Sequence, residues 1–197
     1  MTFFKRYTNW SISYVRLTGL GLVIGAGFMG GYLYTLQYKG NVHTVLDGQV
    51  YRSNQPDPAR IANLQKLYGI RTIINLRGPE PGEKWYDEEI AAAETLGIRH
   101  ADFEMSARRQ LSPEEARQLI ALMAKAEKPV LIHCKSGSDR TGLAAALYVA
   151  AIAKGSESKA ERQMSIAYGH FGFPLSPTYA MERTFEAIEA ELGYTGS

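Results

Sequence analysis

Residues 129–142 read Pro-Val-Leu-Ile-His-Cys-Lys-Ser-Gly-Ser-Asp-Arg-Thr-Gly. The apolar run Pro129–Ile132 has the character of a fully buried strand, and the alanine-rich stretch Leu143–Ala153 that of a buried helix. Six residues joining such a strand to such a helix can curl so that successive backbone N–H groups point inward, making a ring of donors for a tetrahedral oxyanion. Cys134 falls at the bottom of that ring. The amides, the positive end of the helix that begins near Arg140, and neighbouring His133 all favour negative charge on its sulfur. Arg140 offers a planar fork that holds two phosphate oxygens at once, which a lysine could not do. Gly137 permits the bend, and Thr141 brings a hydroxyl toward the sulfur. Lys135, Ser136, Ser138 and Asp139 complete the set of expected substrate contacts.

This stretch resembles the Cys-x5-Arg-Ser/Thr signature of the cysteine-dependent phosphatases, and most of all their bacterial dual-specificity and lipid-phosphatase branch. The resemblance extends to Val50-Tyr51-Arg52-Ser53-Asn54-Gln55-Pro56 and Ile70-Arg71-Thr72-Ile73-Ile74-Asn75-Leu76-Arg77, and so covers about residues 47–192. It implies that Cys134 attacks phosphorus and forms a phosphocysteine, that Arg140 and the amides of 135–140 clamp the oxyanion, and that an aspartate on a separate loop protonates the leaving oxygen. In dual-specificity members that acid lies roughly thirty residues before the cysteine; here Asp102 does. Glu104 and the loop residue Asp139 are the other candidates, because a general acid is fixed by geometry before pKa. The ending Asp139-Arg140-Thr141 resembles myotubularin-type and bacterial phosphoinositide phosphatases, and Cys134-Lys135 resembles a lipid phosphatase, with Lys135 poised for a second acidic group.

Leu17–Tyr38 gives 22 residues without a charge, bracketed by Arg16 and Lys39. A bilayer-spanning helix needs about twenty. Tyr32, Tyr34 and Tyr38 fit an interfacial aromatic belt, and the pairs Gly21/Gly25 and Gly27/Gly31 are spaced for close helix contact, so a homodimer through these glycines is an open expectation. Gly25, Gly27 and Gly30 also satisfy Gly-x-Gly-x-x-Gly, with Asp47 about twenty residues on, but a nucleotide-binding helix needs a polar face that this segment lacks. There is no evident Ala-x-Ala cleavage site. Lys5, Arg6 and Arg16 precede the span and Lys39 alone follows closely, which places the N-terminus in the cytoplasm and the following domain on the extracytoplasmic side, periplasmic for a bacterial inner membrane.

The predicted organisation is a basic tail at 1–16, an anchor at 17–38, a linker at 39–46 and one phosphatase domain at 47–197. The four basic residues before Gly40 have no acidic counterpart, leaving 18 basic against 20 acidic residues afterwards. The excess charge belongs to the anchor, and no nucleic-acid partner is expected. A single cysteine excludes an internal disulfide framework, and four scattered histidines show no paired ligand spacing, so neither metal nor cofactor is expected. Strand-like runs at about 49–52, 70–76, 97–103 and 129–133 alternate with helical patterns at 58–68, 84–96, 112–127, 140–154, 158–168 and 176–192. They predict an α/β fold with helices on the faces of its sheet, behind one transmembrane helix, and the resemblance implies the fold of dual-specificity phosphatases, with a mostly parallel sheet of four to five strands.

The functional expectation is a membrane-anchored phosphatase whose pocket, held near the bilayer, acts on a phosphorylated lipid headgroup. A tyrosine or dual-specificity protein phosphatase is the alternative, followed by an inositol phosphate phosphatase or a non-catalytic phosphate binder. Arg108 and Arg109 are candidates for drawing in an anion, Trp85 and Tyr86 for a pocket rim, Arg52–Gln55 for a pocket lining, and Tyr168–Phe173 for packing the last helices.

Overall fold

The computed structural model describes residues 3–194, so the first two residues of the basic tail and the last three of the domain lie outside it. The chain divides into two units at Tyr38/Lys39. The first is one helix, α1 (Phe3–Tyr38), in which Leu17–Tyr38 is long and apolar enough to cross a membrane. At 1.5 Å per residue this span covers about 33 Å, close to the thickness of a hydrocarbon core. Gly25, Gly27 and Gly30 lie inside this continuous helix and not at a strand-to-helix turn, so they do not take the setting of a dinucleotide fingerprint.

The second unit is built on a five-stranded sheet in the order β1-β2-β5-β3-β4. Its strands are β1 (His43–Leu46), β2 (Val50–Ser53), β3 (Thr72–Asn75), β4 (Arg99–Asp102) and β5 (Val130–His133). Only the β1–β2 pair is antiparallel. Side chains alternate across a strand, so each buried strand feeds two cores. Val50, Ile74, Val130 and Ile132 face α4 (Pro113–Lys125), α5 (Asp139–Leu147) and α7 (Ala180–Glu186). Tyr51, Ile73 and Leu131 face the other way, toward α2 (Pro58–Tyr68) and α3 (Lys84–Thr95). Each fully buried aliphatic side chain contributes about 1.5–3 kcal/mol, so this double layer fixes β5, and with it the start of the Cys134 loop.

Local chemistry explains the well-formed helices. Asp57 caps α2 by accepting from the Arg60 amide at 2.7 Å, Pro58 follows it, and Gly69 closes the helix at φ 68°. Ser112 and Glu115 make a reciprocal capping box at the start of α4. Behind the loop, α5 continues as a π-helical turn at Tyr148–Ile152.

Three expectations are corrected. Residues 43–46 are not linker but the edge strand β1, paired with β2 through a register shift between Thr44 and Leu46. The helix expected at 158–168 is only α6 (Glu157–Glu161) and a 3-10 turn at Ile166–Tyr168, because the carbonyl of Gln163 is taken by a buried arginine instead of a helical amide. The helix expected at 176–192 is a 3-10 turn at Pro177–Tyr179, then α7, then α8 (Glu189–Leu192), broken where Ile188 leaves helical geometry at φ −122°.

Candidate active site

Parallel strands deliver their C-terminal ends to one edge of the sheet, and in doubly wound α/β folds that edge holds the ligand. β5 ends at His133, level with Ser53 of β2 and Asn75 of β3, and Asn75 is level with Asp102 of β4. The expected nucleophile and the expected acid therefore leave the same edge of the sheet, two strands apart.

The loop after His133 turns as the sequence requires. Cys134 is buried at 1% exposure, and the Gly137 amide donates to its Sγ at 3.3 Å. Gly137 sits at φ +72°, and a Cβ there would lie 2.7 Å from Ser53 C, Ser53 O and Asn54 N, so only glycine lets the loop press on the end of β2. Four successive loop carbonyls are all held from outside. Lys135 O accepts from the Gln55 amide, Ser136 O from Asn41 Nδ2, and Gly137 O and Ser138 O from Arg52 Nη2. When the carbonyls of such a loop are tied outward, the amides are left facing inward as a nest for an anion.

Arg140, on the first turn of α5, donates through Nη1 to Leu76 O and Met105 O, each at 3.3 Å. These carbonyls belong to the loops after β3 and β4, which hold the guanidinium beside the nest. Thr141 is buried, and its Oγ1 has no hydrogen-bond partner, so the contact expected with the sulfur is not made. Lys135 is exposed, and Ser138 is buried, its amide donating to Ser136 Oγ at 3.3 Å.

Asp139 does not face the nest. Its Oδ1 bonds His170 Nδ1 at 2.6 Å, and the other ring nitrogen of His170 bonds Glu182 of α7. Burial works against a charged His170, but these two carboxylates outweigh it and raise its pKa to about 9. The Asp139 carboxylate is thus committed to His170 through Oδ1, and the Tyr168–Phe173 segment does more than pack helices, because it ties the loop's helix to α7.

Asp102 is half-buried at the end of β4, with Oδ1 accepting from Asn75 Nδ2 and Oδ2 from the Tyr86 hydroxyl, both at 2.7 Å. Burial, and next the bond to Asp102, push the Tyr86 phenol up to about 12, so it remains a donor across the working pH range. Glu104 is exposed on the loop beyond. Beneath the site, Glu89 of α3 is fully buried and bonds His100 Nε2 at 2.7 Å, His133 Nε2 at 3.1 Å and Gln55 Nε2. Burial alone would raise its pKa, but the two histidine bonds hold it at about 2.

Of the secondary expectations, Arg109 is committed to Glu115 through two hydrogen bonds. Trp85 is not a free rim, since the Arg77 guanidinium lies 3.3 Å from its ring centroid, while Arg77 Nη1 donates to Gln55 Oε1. Glu89, Asn75 and His170 gave no signal in the sequence, because each acts through partners distant in the chain.

A family model described as tyrosine phosphatase family matches residues 29–159. The dual specificity protein phosphatase TpbA of Pseudomonas aeruginosa is 30% identical over 177 residues, covering 82% of this chain and 75% of that one, and the match to its counterpart in a second strain spans 65% of that protein. The crystal structure of TpbA superposes with a TM-score of 0.59 at 21% identity over 79% of this chain and 92% of its own. TpbA in complex with pTyr does so at 0.51 and 22%, over 69% and 85%. The solved structures share the fold; the family model, covering well over half of the chain, and the 30% identical relative settle its membership, and the chain is a phosphatase of the tyrosine phosphatase family.

Proposed function

We propose that the chain hydrolyses phosphate monoesters on proteins through a phosphocysteine at Cys134, while anchored to a membrane by Leu17–Tyr38. In the first step the sulfur bonds to phosphorus, the bond to the leaving oxygen breaks, and Asp102 gives that oxygen its proton. In the second step water attacks phosphorus, Asp102 takes the water's proton, and the S–P bond breaks to release phosphate. The inward amides and Arg140 are shaped for the three equatorial oxygens of both transition states. The observation that carries this reading is the belt of four outward-tied carbonyls, which costs the loop its flexibility and is of use only if the amides must stay turned toward an anion.

The structure weakens the argument that favoured a lipid substrate. That argument rested on the anchor holding the pocket near the bilayer and, in part, on Asp139, whose carboxylate is bonded to His170. The similarity to TpbA, named a dual specificity protein phosphatase, supports a phosphoprotein instead. A phosphorylated lipid is the second reading, favoured by the apolar helix and by the exposed Lys135.

The test uses the full chain purified in detergent, wild type beside Cys134→Ser. Phosphate release is measured from phosphotyrosine peptides and from phosphorylated lipids in mixed micelles at matched concentration. Faster release from peptides, lost in Cys134→Ser, is the expected result; faster release from lipids moves the second reading ahead, and no release from either rejects both. Anchoring is checked by alkaline carbonate extraction of membranes, from which a spanning chain stays in the pellet and a peripheral one is washed out.

A further inference from the structure

Arg52 is the largest fully buried side chain of the domain, at 0% exposure. It stands on β2 between Tyr51 and Ser53, level with Ile132 of β5, so strand alternation sends it to the same face of the sheet as Val50 and Ile132, under α5. Its Nη2 donates to Gly137 O at 2.9 Å and Ser138 O at 3.3 Å, and its Nη1 to Gln163 O at 2.7 Å and Gln163 Oε1 at 3.1 Å. The guanidinium lies over the Tyr168 ring, 4.0 Å from its centroid. All four acceptors are neutral oxygens, and among the described residues no carboxylate pairs with this cation.

A buried cation is normally compensated by a buried anion, because removal from water costs several kcal/mol per ion. Burial does press on Arg52, bringing its pKa down to about 10, and the groups whose charge acts against this are Tyr168 and Cys134. Tyr168 lies under the guanidinium as a ring, which leaves the cysteine loop, where a nucleophile and a phosphate would meet, as the place for an anion to face it. A guanidinium that grips two loop carbonyls from behind, and has no anion of its own, is arranged to be neutralised from the front.

We propose that Arg52 is a positioning residue of the phosphatase reaction: it fixes the carbonyls of Gly137 and Ser138 outward and supplies an uncompensated positive charge behind the loop that is neutralised by anions at Cys134. It touches neither substrate nor sulfur directly. The proposal rests on the reading of Cys134 as nucleophile, and it explains why a full cation is buried among neutral acceptors.

Cys134 is the only cysteine in the chain, so alkylation reports on this site alone. The test compares the second-order rates of alkylation by iodoacetate and by iodoacetamide in the full-length protein in detergent. Their ratio cancels the fraction of reactive sulfur and reads the preference of the site for an anionic reagent. In Arg52→Met the ratio falls about three- to tenfold, and kcat/KM falls about 10²-fold through misplacement of the loop. Arg52→Lys keeps the ratio within about twofold of wild type but recovers only part of kcat/KM, since an ammonium cannot hold the loop carbonyls and Gln163 at once with a fixed fork.

A folded Arg52→Met protein with an unchanged ratio overturns the proposal, as does an Arg52→Lys protein whose ratio drops as far as that of the methionine variant. If Arg52→Met does not fold, the wild type decides by nuclear magnetic resonance. Arg52 guanidinium protons are expected to exchange slowly with water and to shift when vanadate binds, and fast exchange or indifference to vanadate refutes the idea. Loss of the parent reading looks different, for then turnover would survive in Cys134→Ser whatever Arg52 does.

Discussion

Asp102, the proposed general acid, is also embedded in structure. Its two oxygens accept from Asn75 and Tyr86, so removing the carboxyl disturbs packing between β3, α3 and β4 as well as any proton transfer. The two roles separate by leaving group. A general acid matters when the departing oxygen is a poor leaving group and hardly at all when it is a good one. Asp102→Asn is therefore expected to lower kcat/KM, which reports the first step alone, about 10²–10³-fold on a phosphoserine peptide and only a few-fold on p-nitrophenyl phosphate. Equal losses on the two substrates would make Asp102 a structural residue and move Glu104, exposed on the same loop, to the front; Glu104→Gln measured in parallel reads this directly.

Among the elements, the loop between β5 and α5 carries the tightest constraint. Gly137 combines φ +72° with backbone atoms of Ser53 and Asn54 at 2.7 Å from where a Cβ would be. A side chain is thus opposed twice, by its own conformation and by rigid backbone that cannot move as a flexible side chain would. Gly137→Ala is expected to cost about 1–3 kcal/mol of stability. Activity should fall more than this implies, because the same shift rotates the amide that donates to Cys134. Thermal melting beside kcat/KM checks it, and a variant with wild-type activity would show that the loop does not need this close contact.

The loop was legible in the sequence because its chemistry is local: strand, nucleophile, glycine and arginine fall within fourteen residues. α2 and α4 were legible for the same reason, each bounded by caps written into neighbouring residues, Asp57-Pro58 with Gly69 and Ser112-Pro113 with Glu115. β1 was not, since four residues with a register shift on a sheet edge leave no periodic pattern long enough to read. The breaks at Arg162–Ser165 and Ile188 escaped for another reason: propensity continues through them, and tertiary partners such as Arg52 on Gln163 O decide otherwise. The tie of Asp139 to His170 was not legible, because the two lie 31 residues apart.

At the scale of the whole domain, the loop is clamped at both ends by buried ionic networks on opposite faces of the sheet. On the α2/α3 face, Glu89 holds His133, the residue before Cys134. On the α5/α7 face, His170 with Glu182 holds Asp139, the residue before Arg140. The networks respond to pH in opposite directions. Glu89 has a lowered pKa, so its contribution is present above the ordinary value of 4.5 and is lost as pH falls through about 2. His170 has a raised pKa, so its contribution is complete below the ordinary value of 6.5 and is lost as pH rises through about 9. Stability set by these two groups should therefore be greatest between about pH 4.5 and 6.5 and decline on the alkaline side well before lysines or tyrosines titrate. The alkaline loss is on the order of 2–3 kcal/mol, which for a domain of this size is a fall of about 5–10 °C in melting temperature. In His170→Gln, the melting temperature should start lower at pH 6 and then change little up to pH 9, because the titrating group and its two ionic bonds are gone together. If the variant keeps the wild-type alkaline slope, the proton that matters belongs to another residue, and the clamp on Asp139 is held by packing rather than by charge.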